Sequence, residues 1–310
     1  MRSTPLRIGT RDSPLAMWQA RQVAAALAQN QWPVELVPVK SPADLDLKTP
    51  LHQFGETGIF TKMLDVALWE DQIDLAVHSL KDYPTTLPEE LQLSAVLPRG
   101  PYRDVLIPGK AFTPDFWHNP PREATVATGS IRRIAQWKHR FPGHQMAPLR
   151  GNVQTRLRKL KESSWHGAVF AQAGLQRVAL LPDSHQILDW MIPAPAQGVV
   201  GIVHRRQDRA LSEALAAIDH RETALRSQAE RTFLNRVEGG CSAPVGALAL
   251  RQGKKLYLEA AVFELDGSKR YYAKGEAPLE DAVNLGENLA RQVLEQGAWA
   301  VMEKIKNNAS

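Results

Sequence analysis

The chain has 310 residues, 44% hydrophobic and 23% charged, with a formal net charge of +5 and an isoelectric point near 9.3. That length suits two or three soluble domains with sizeable cores. A single cysteine excludes an intramolecular disulfide and argues against a thiolate zinc site, which fits a reducing cytoplasm.

Taken in chain order, Met1 to Thr10 lacks the apolar core of a secretory signal, and no run reaches the ~18 apolar residues of a membrane span. Export and membrane insertion are therefore not expected. Leu6 to Ile8 reads as a short strand. Asp12 or Ser13 then caps a helix with Pro14 in its first turn and Leu15, Trp18, Val23 and Leu27 at helical spacing. Val34 to Val39 alternates as a strand, and Phe60, Leu64 and Leu68 mark a second helix. Ile73 to Val77 is a compact apolar strand ending at His78 and Ser79. The pattern returns with strands at Thr125 to Ala127, around Met146 to Leu149 and at Ala168 to Ala171. The first two precede helices carrying Ile131, Ile134 and Trp137, and Val153, Leu157 and Leu160. Strands alternating with helices predict mainly parallel α/β sheets. The tail differs. A helix over Thr223 to Val237 is stopped by Gly239-Gly240, three strands follow with Asp266-Gly267 as a hairpin turn, and a helix over Ala282 to Gln296 closes a smaller α+β domain.

The charge is regional. Residues 121–161 hold ten Lys/Arg and one acid, whereas residues 51–90 hold eight acids and two bases. In open α/β sheets ligands bind beyond the carboxyl ends of strands. At those points stand Arg11 and Ser13; Lys81 and Asp82; Thr128, Ser130, Arg132 and Arg133; Arg150, Asn152 and Arg156; and Arg177. Guanidinium groups bind carboxylates bidentately and stay charged, so this inventory suits a small substrate carrying several carboxylates. The lone acid, Asp82, is the candidate for proton chemistry or for stabilising a cation.

Each residue has a plainer reading. A single arginine is usually solvated or ion-paired. Asp82 could be a turn residue before Pro84, Gly129-Ser130 only a helix start, and His78 a core histidine. Cys241 alone would be a small buried hydrophobe, yet Gly239-Gly240-Cys241-Ser242 leaves room to approach its thiol. His139, His144, His166 and His185 lack metal-ligand spacing, so no metal is expected. The residues by themselves reach an α/β cleft for a polyanionic small molecule, with a thiol that could react. A non-catalytic anion binder, or nucleic-acid binding by residues 121–161, stays open on this evidence.

Seven segments resemble one family in order and spacing. They are Thr10-Arg11-Asp12-Ser13-Pro14-Leu15-Ala16, Ala76-Val77-His78-Ser79-Leu80-Lys81-Asp82-Tyr83-Pro84 and Thr128-Gly129-Ser130-Ile131-Arg132-Arg133. Leu149-Arg150-Gly151-Asn152-Val153-Gln154-Thr155-Arg156, Ala173-Gly174-Leu175-Gln176-Arg177, Pro195-Ala196-Gln197-Gly198 and Glu238-Gly239-Gly240-Cys241-Ser242-Ala243-Pro244 complete the set. The family is that of the porphobilinogen deaminases (hydroxymethylbilane synthases).

The resemblance implies two type II periplasmic-binding-protein-like domains, residues 1–98 with 198–220 and residues 99–197, plus a C-terminal α+β domain, residues 221–310, that carries Cys241. It also implies a transferase of heme and tetrapyrrole biosynthesis. Four porphobilinogen molecules would be condensed head to tail, with loss of ammonia, on a dipyrromethane cofactor held by a thioether at Cys241. Hydrolysis would then release hydroxymethylbilane.

Asp82 is the implied catalytic residue, contacting pyrrole N–H groups and stabilising the azafulvene cation. Cofactor contacts are implied for Lys81, Ser13, Thr128, Ser130, Arg132, Arg133, Arg150, Asn152 and Arg156. Substrate contacts are implied for Arg11, Arg150, Arg156, Arg177 and Gln197, the last in a segment associated with hinging. A cytoplasmic monomer with no metal, nucleic-acid or membrane partner is expected. The chain departs from the family pattern at Gln53 and Thr57, where lysine is found, at Ser41-Pro42-Ala43-Asp44, at Gly129 and at Val203. These departures bear on the loop from about Lys40 to Thr57 that covers the cleft in this family.

Overall fold

The computed structural model describes residues 4–39, 59–238 and 243–309. The chain opens with β1 (Leu6–Arg11), α1 (Pro14–Gln29) and β2 (Val34–Val39). Ser13 caps α1 by accepting from the Ala16 amide at 3.2 Å, and Pro14 takes the first turn, where no donor is needed. Next come α2 (Ile59–Trp69), β3 (Leu75–Ser79) and β4 (Leu91–Val96). The chain then crosses to a second sheet. It lays down β5 (Asp104–Pro108), β6 (Thr125–Ala127), α3 (Ile131–Arg140), β7 (Gln145–Ala147), α4 (Val153–Glu162), β8 (Gly167–Ala171), α5 (Gln172–Arg177) and β9 (Gln186–Leu188) there. It returns as β10 (Val200–Arg205) to the first sheet, followed by α6 (Arg209–Ala216).

The first sheet has the order β2-β1-β3-β10-β4 and the second β7-β6-β8-β5-β9. These are one topology used twice, because in each the strand that has just crossed over sits fourth. β1 pairs in parallel with β2 and β3, and β6 with β7 and β8, whereas the crossing strands β10 and β5 run antiparallel to both neighbours. Parallel pairing is thus confined to the βα repeats that the pattern predicts, and each sheet as a whole is mixed. A strand arriving from the other unit enters from the opposite end, which sets its direction. This is the expected pair of α/β units, built on one shared topology.

Both sheets are buried on both faces. In β3, Leu75 and Val77 join α1 (Val23, Leu27) and α6 (Leu211, Leu215), while Ala76 joins Leu64 and Leu68 of α2. The second sheet alternates likewise, with Val105 and Ile107 against Leu160 and Leu175 on one face and Leu106 against Phe116 and Trp137 on the other. The C-terminal part comprises α7 (Arg221–Arg236), the antiparallel strands β11 (Val245–Gln252), β12 (Lys255–Phe263) and β13 (Arg270–Pro278), α8 (Ala282–Val293) and α9 (Trp299–Ala309). Its sheet packs one face on α7 and α8 through Phe233, Leu258 and Leu285. Leu248, Ala261 and Phe263 meet Ala135 and Ile192 of the middle unit. The closing helix expected over Ala282 to Gln296 breaks at Gly297, which has φ 105°, and resumes as α9.

Where the chain crosses twice, the two connectors run side by side. The Leu97 amide donates to the Val200 carbonyl at 3.1 Å and the Gly100 amide to the Gly198 carbonyl at 3.0 Å. Gly198 has φ +86°, and a Cβ there would stand 2.8 Å from the Pro101 carbonyl oxygen, so only glycine permits this approach. Glu230 of α7 reaches into the junction with no exposed surface. Its carboxylate accepts from Arg99 Nη1 at 2.6 Å, Arg99 Nη2 at 3.1 Å, the Ala196 amide at 2.6 Å and the Ala249 amide at 2.7 Å. Glu230→Ala should therefore strand a buried guanidinium and cost about 3–5 kcal/mol. Denaturant unfolding measures this, and a loss under about 1 kcal/mol would show that the clasp adds little to the figure expected for a buried pair.

Candidate functional site

β3 runs directly into a single 3-10 turn, Leu80–Asp82. Leu80 is buried, Lys81 half-buried and Asp82 exposed, so the turn anchors itself with one side chain and presents the next two. The second unit approaches it through Arg133 of α3 and Arg156 of α4. Burial pulls the Lys81 ammonium below its ordinary value, with Arg133 and Arg132 adding to the drop and Asp82 and Asp104 opposing it. Burial likewise lowers Arg133 and Arg156, and the Asp82 carboxylate opposes the shift in each. Asp82 therefore stands within electrostatic reach of Lys81, Arg133 and Arg156, across the gap between the two sheets. Arg150, exposed at the end of β7, adds repulsion on Arg156 and extends the positive field.

The arginines divide by their commitments. Arg132 donates from Nη1 to Asp104 Oδ2 and to the Ile192 carbonyl, both at 2.8 Å. Arg133 donates to Asp104 Oδ1 from Nε at 3.0 Å and pairs with it from Nη2 at 2.8 Å, while its Nη1 donates to the Val169 carbonyl at 3.0 Å. Both are buried, as a fixed positive wall around Asp104 rather than as mobile arms. Although burial opposes it, that pair of guanidinium groups holds the Asp104 carboxyl well below the usual carboxylate range. Arg156 is only half-buried, with Nε on the Gly151 carbonyl at 2.7 Å. Arg11, half-buried, ends β1 beside β3.

Arg177 is placed elsewhere. It donates from Nη2 to the Gly198 carbonyl at 2.7 Å and stacks over Trp18 with its guanidinium 5.1 Å from the ring centre; burial lowers its pKa to about 10. Gln197 is also at the crossing, donating from Nε2 to the Tyr102 carbonyl at 2.8 Å and to Asp104 Oδ1 at 3.1 Å. Arg177 thus lies at the crossing, away from the cations around Asp82, whereas Gln197 runs from the crossing to Asp104, the acid that Arg132 and Arg133 share.

The small polar residues start helices. Asn152 caps α4 by accepting from the Thr155 amide at 2.9 Å, and Thr128 Oγ1 accepts from the Ser130 amide at 3.3 Å. A Cβ at Gly129 would lie 2.5 Å from the Leu149 carbonyl oxygen, so the glycine found in place of serine suits a closer approach of β6 and β7. Val203 is fully buried among Ile73, Ala76 and Leu91, an apolar setting in which a carboxylate would need a partner. Cys241, Ser41-Pro42-Ala43-Asp44, Gln53 and Thr57 lie outside the described residues.

Asp104, Arg99, Glu230 and Arg231 carry much of this geometry and are absent from the sequence-derived candidates. The one available signal was an acid heading the apolar run Val105-Leu106-Ile107. Behind the turn, Tyr83 Oη donates to Asp65 Oδ1 at 3.1 Å, and His78 packs on Tyr83 with ring centres 4.3 Å apart. Burial keeps His78 neutral by lowering its pKa to about 3, which supports its reading as a core histidine.

The site suits a compound with several carboxylates and pyrrole N–H groups, because cations gather about an exposed carboxylate. No group of side chains able to hold a metal ion occurs among the described residues, and no described helix is long and apolar enough to cross a membrane.

Burial raises the Asp65 carboxyl to about 6, and the Tyr83 hydrogen bond only partly offsets this. Between about pH 4, the unfolded value, and about pH 6 the folded chain holds more protons, so stability falls as pH rises through that window. Asp65→Asn keeps an acceptor for Tyr83 and removes the charge. It should exceed the parent by roughly 2–3 kcal/mol at pH 7.5 and match it near pH 4; a difference independent of pH in denaturant titrations would contradict this assignment.

Comparison with known proteins places these residues in context. A protein-family model described as "Porphobilinogen deaminase, dipyromethane cofactor binding domain" matches residues 6–213, and one described as "Porphobilinogen deaminase, C-terminal domain" matches residues 224–295. A porphobilinogen deaminase of Syntrophomonas wolfei is 38% identical over 304 residues, covering 96% of this chain and 97% of its own. One of Moorella thermoacetica is 39% identical over 310 residues, covering 97% and 96%. Among solved structures, the periplasmic VFT2 domain of Bordetella pertussis BvgS is 13% identical with a TM-score of 0.40, covering 69% of this chain and 86% of that one.

Proposed function

We propose, for a chain that belongs to the porphobilinogen deaminase family, that Asp82 and the cations around it carry that family's chemistry. The chain is a hydroxymethylbilane synthase, a transferase of tetrapyrrole biosynthesis that polymerises porphobilinogen and uses a dipyrromethane cofactor. The assignment of roles rests on one observation: the exposed carboxylate of Asp82 stands on a tight turn within reach of Lys81, Arg133 and Arg156.

Porphobilinogen carries acetate and propionate groups, a pyrrole N–H and an aminomethyl group. The arms with exposed surface, Arg11, Arg150 and Arg156, bind the carboxylates as bidentate partners. Lys81, Arg132 and Arg133 supply fixed positive potential, and Ser13, Thr128, Ser130 and Asn152 place helix-start donors along the cofactor-binding face. Asp82 accepts the pyrrole N–H, favours departure of the protonated amine as ammonia and stabilises the cation left on the substrate. One carboxylate serves this purpose; a second exposed acid would repel the substrate's own. Cys241 holds the cofactor by a thioether. When bound there, the dipyrromethane supplies a nucleophilic pyrrole carbon.

Arg177 and Gln197 act through the hinge, where adjustment of the paired connectors makes room for the product as it lengthens. We assign the units as residues 1–98 with 198–220, 99–197 and 221–310; strand membership of the three sheets supports that division. The single cysteine suits a reducing cytoplasm, and the same reading makes the protein a monomer without nucleic-acid or membrane partners.

The intact mass of the purified chain should exceed that of the polypeptide by two pyrrole units, and Cys241→Ser should lack them; an unmodified parent chain would remove the primer from the reading. Asp82→Asn should fold and lose about 10²- to 10⁴-fold in turnover, the range of a positioned acid–base group. Uroporphyrin formed after oxidation of the product reports it, and near-normal rates would exclude Asp82 from the chemistry.

A further inference from the structure

We infer that Arg231 and Asn235, one turn apart on α7, are positioning residues that set the Asp82 turn against the C-terminal unit. This rests on the role proposed for Asp82.

A strand that ends in a single 3-10 turn pairs only the Leu80 carbonyl, with the Tyr83 amide at 3.3 Å, and leaves the carbonyls that follow with no ladder or helix, so that they must find donors elsewhere. Here one guanidinium supplies them. Arg231 Nη1 donates to the Leu80 carbonyl at 3.2 Å and to the Tyr83 carbonyl at 2.8 Å, and Nη2 donates to the Pro84 carbonyl at 2.6 Å. The bracketed residues, 80 to 84, are those that present Lys81 and Asp82. Asn235 Nδ2 continues the contact, donating to Thr85 Oγ1 and Thr86 Oγ1, both at 3.1 Å. On the other side, the Tyr83–Asp65 bond pins the same turn to α2.

The fork geometry is what a lysine lacks, because a point charge cannot span three carbonyls with fixed directions. Arg231 meets the backbone of the turn at three carbonyls, and so sets where Asp82 stands. The neighbouring residue, Glu230, holds the hinge connectors, and the cysteine segment follows the same helix in sequence. α7 therefore gives the hinge and the Asp82 turn one common support.

A cavity of about 640 Å³ runs beside the contact, lined in part by Thr85, Leu93, Asp219, Ser227 and Asn235. A shortened side chain at position 231 would be replaced by water from it. Loss of Arg231 should thus release the turn without leaving its carbonyls dry.

The test compares holoenzymes bearing Arg231→Met, Arg231→Lys, Asn235→Ala, Asp82→Asn and the double change Arg231→Met with Asp82→Asn. A displacement near 1 Å at a reacting group costs about 100-fold. Arg231→Met should keep the two-pyrrole mass, hold KM within about threefold and lose about 100-fold in kcat. Arg231→Lys should recover only part of that. Amide hydrogen exchange should quicken at residues 80–86 and not in β10. On the Asp82→Asn background, Arg231→Met should cost less than about threefold more, since the turn then positions nothing that acts. Losses that multiply on that background, or unchanged kcat and unchanged exchange in both Arg231→Met and Asn235→Ala, would overturn the inference. If Arg231→Met does not fold, Asn235→Ala with and without Asp82→Asn carries the same comparison. A parent chain that neither bears the two pyrroles nor consumes porphobilinogen would instead defeat the proposed function. An active parent with an inactive Asp82→Asn and a normal Arg231→Met would defeat this inference alone.

Discussion

The buried carboxylate of Glu230 is the point on which the three sheets depend. It receives two nitrogens of Arg99 on the outward connector, the Ala196 amide on the return connector and the Ala249 amide of β11. An isolated charge at such depth would be prohibitively costly, so the site persists only because every lone pair is met. The same completeness makes it specific. An alternative docking of the C-terminal unit would part the carboxylate from the Arg99 guanidinium and the Ala196 amide at once.

Asp104 solves a related problem inside the second unit. Arg132, Arg133 and Gln197 converge on it, joining the start of α3 and the return connector to the first residue of β5. Two cations on one acid leave a net positive charge in the wall that faces Asp82. Burial weakens the Arg133 guanidinium's hold on its proton, but an arginine has enough reserve to stay charged at neutral pH. The exposed carboxylate and the buried one thus have opposite tasks. Asp104 keeps the wall in place, and Asp82 stands in front of it, where we propose that it acts.

This division also sets stiff units on either side of a narrow crossing. The two sheets are sealed on both faces by helices, so each unit is stiff, whereas the crossing is two strands wide and turns on Gly198, whose positive φ keeps the connectors close.

Local order was readable along the chain wherever one residue's chemistry dictated its neighbours' conformation. Ser13-Pro14 and Asn152 start helices because a side-chain oxygen meets an orphan amide, and the alternation of apolar faces along the βα repeats marks β1, β2, β3, β6, β7 and β8. The ordered motifs likewise placed Asp82 and the cations at strand ends. The strands β4, β5, β9 and β10 were not legible. They are the members whose partners come from a distant stretch or the other unit, and a strand such as Val200–Arg205 becomes one only when β3 and β4 flank it. Nor could sequence separate the arginines. Arg132, Arg133, Arg150 and Arg177 read alike as cations at strand ends, but a guanidinium's role follows from the acceptor it meets. Only folding brings Asp104 to the first two, leaves Arg150 exposed, and turns Arg177 toward Gly198.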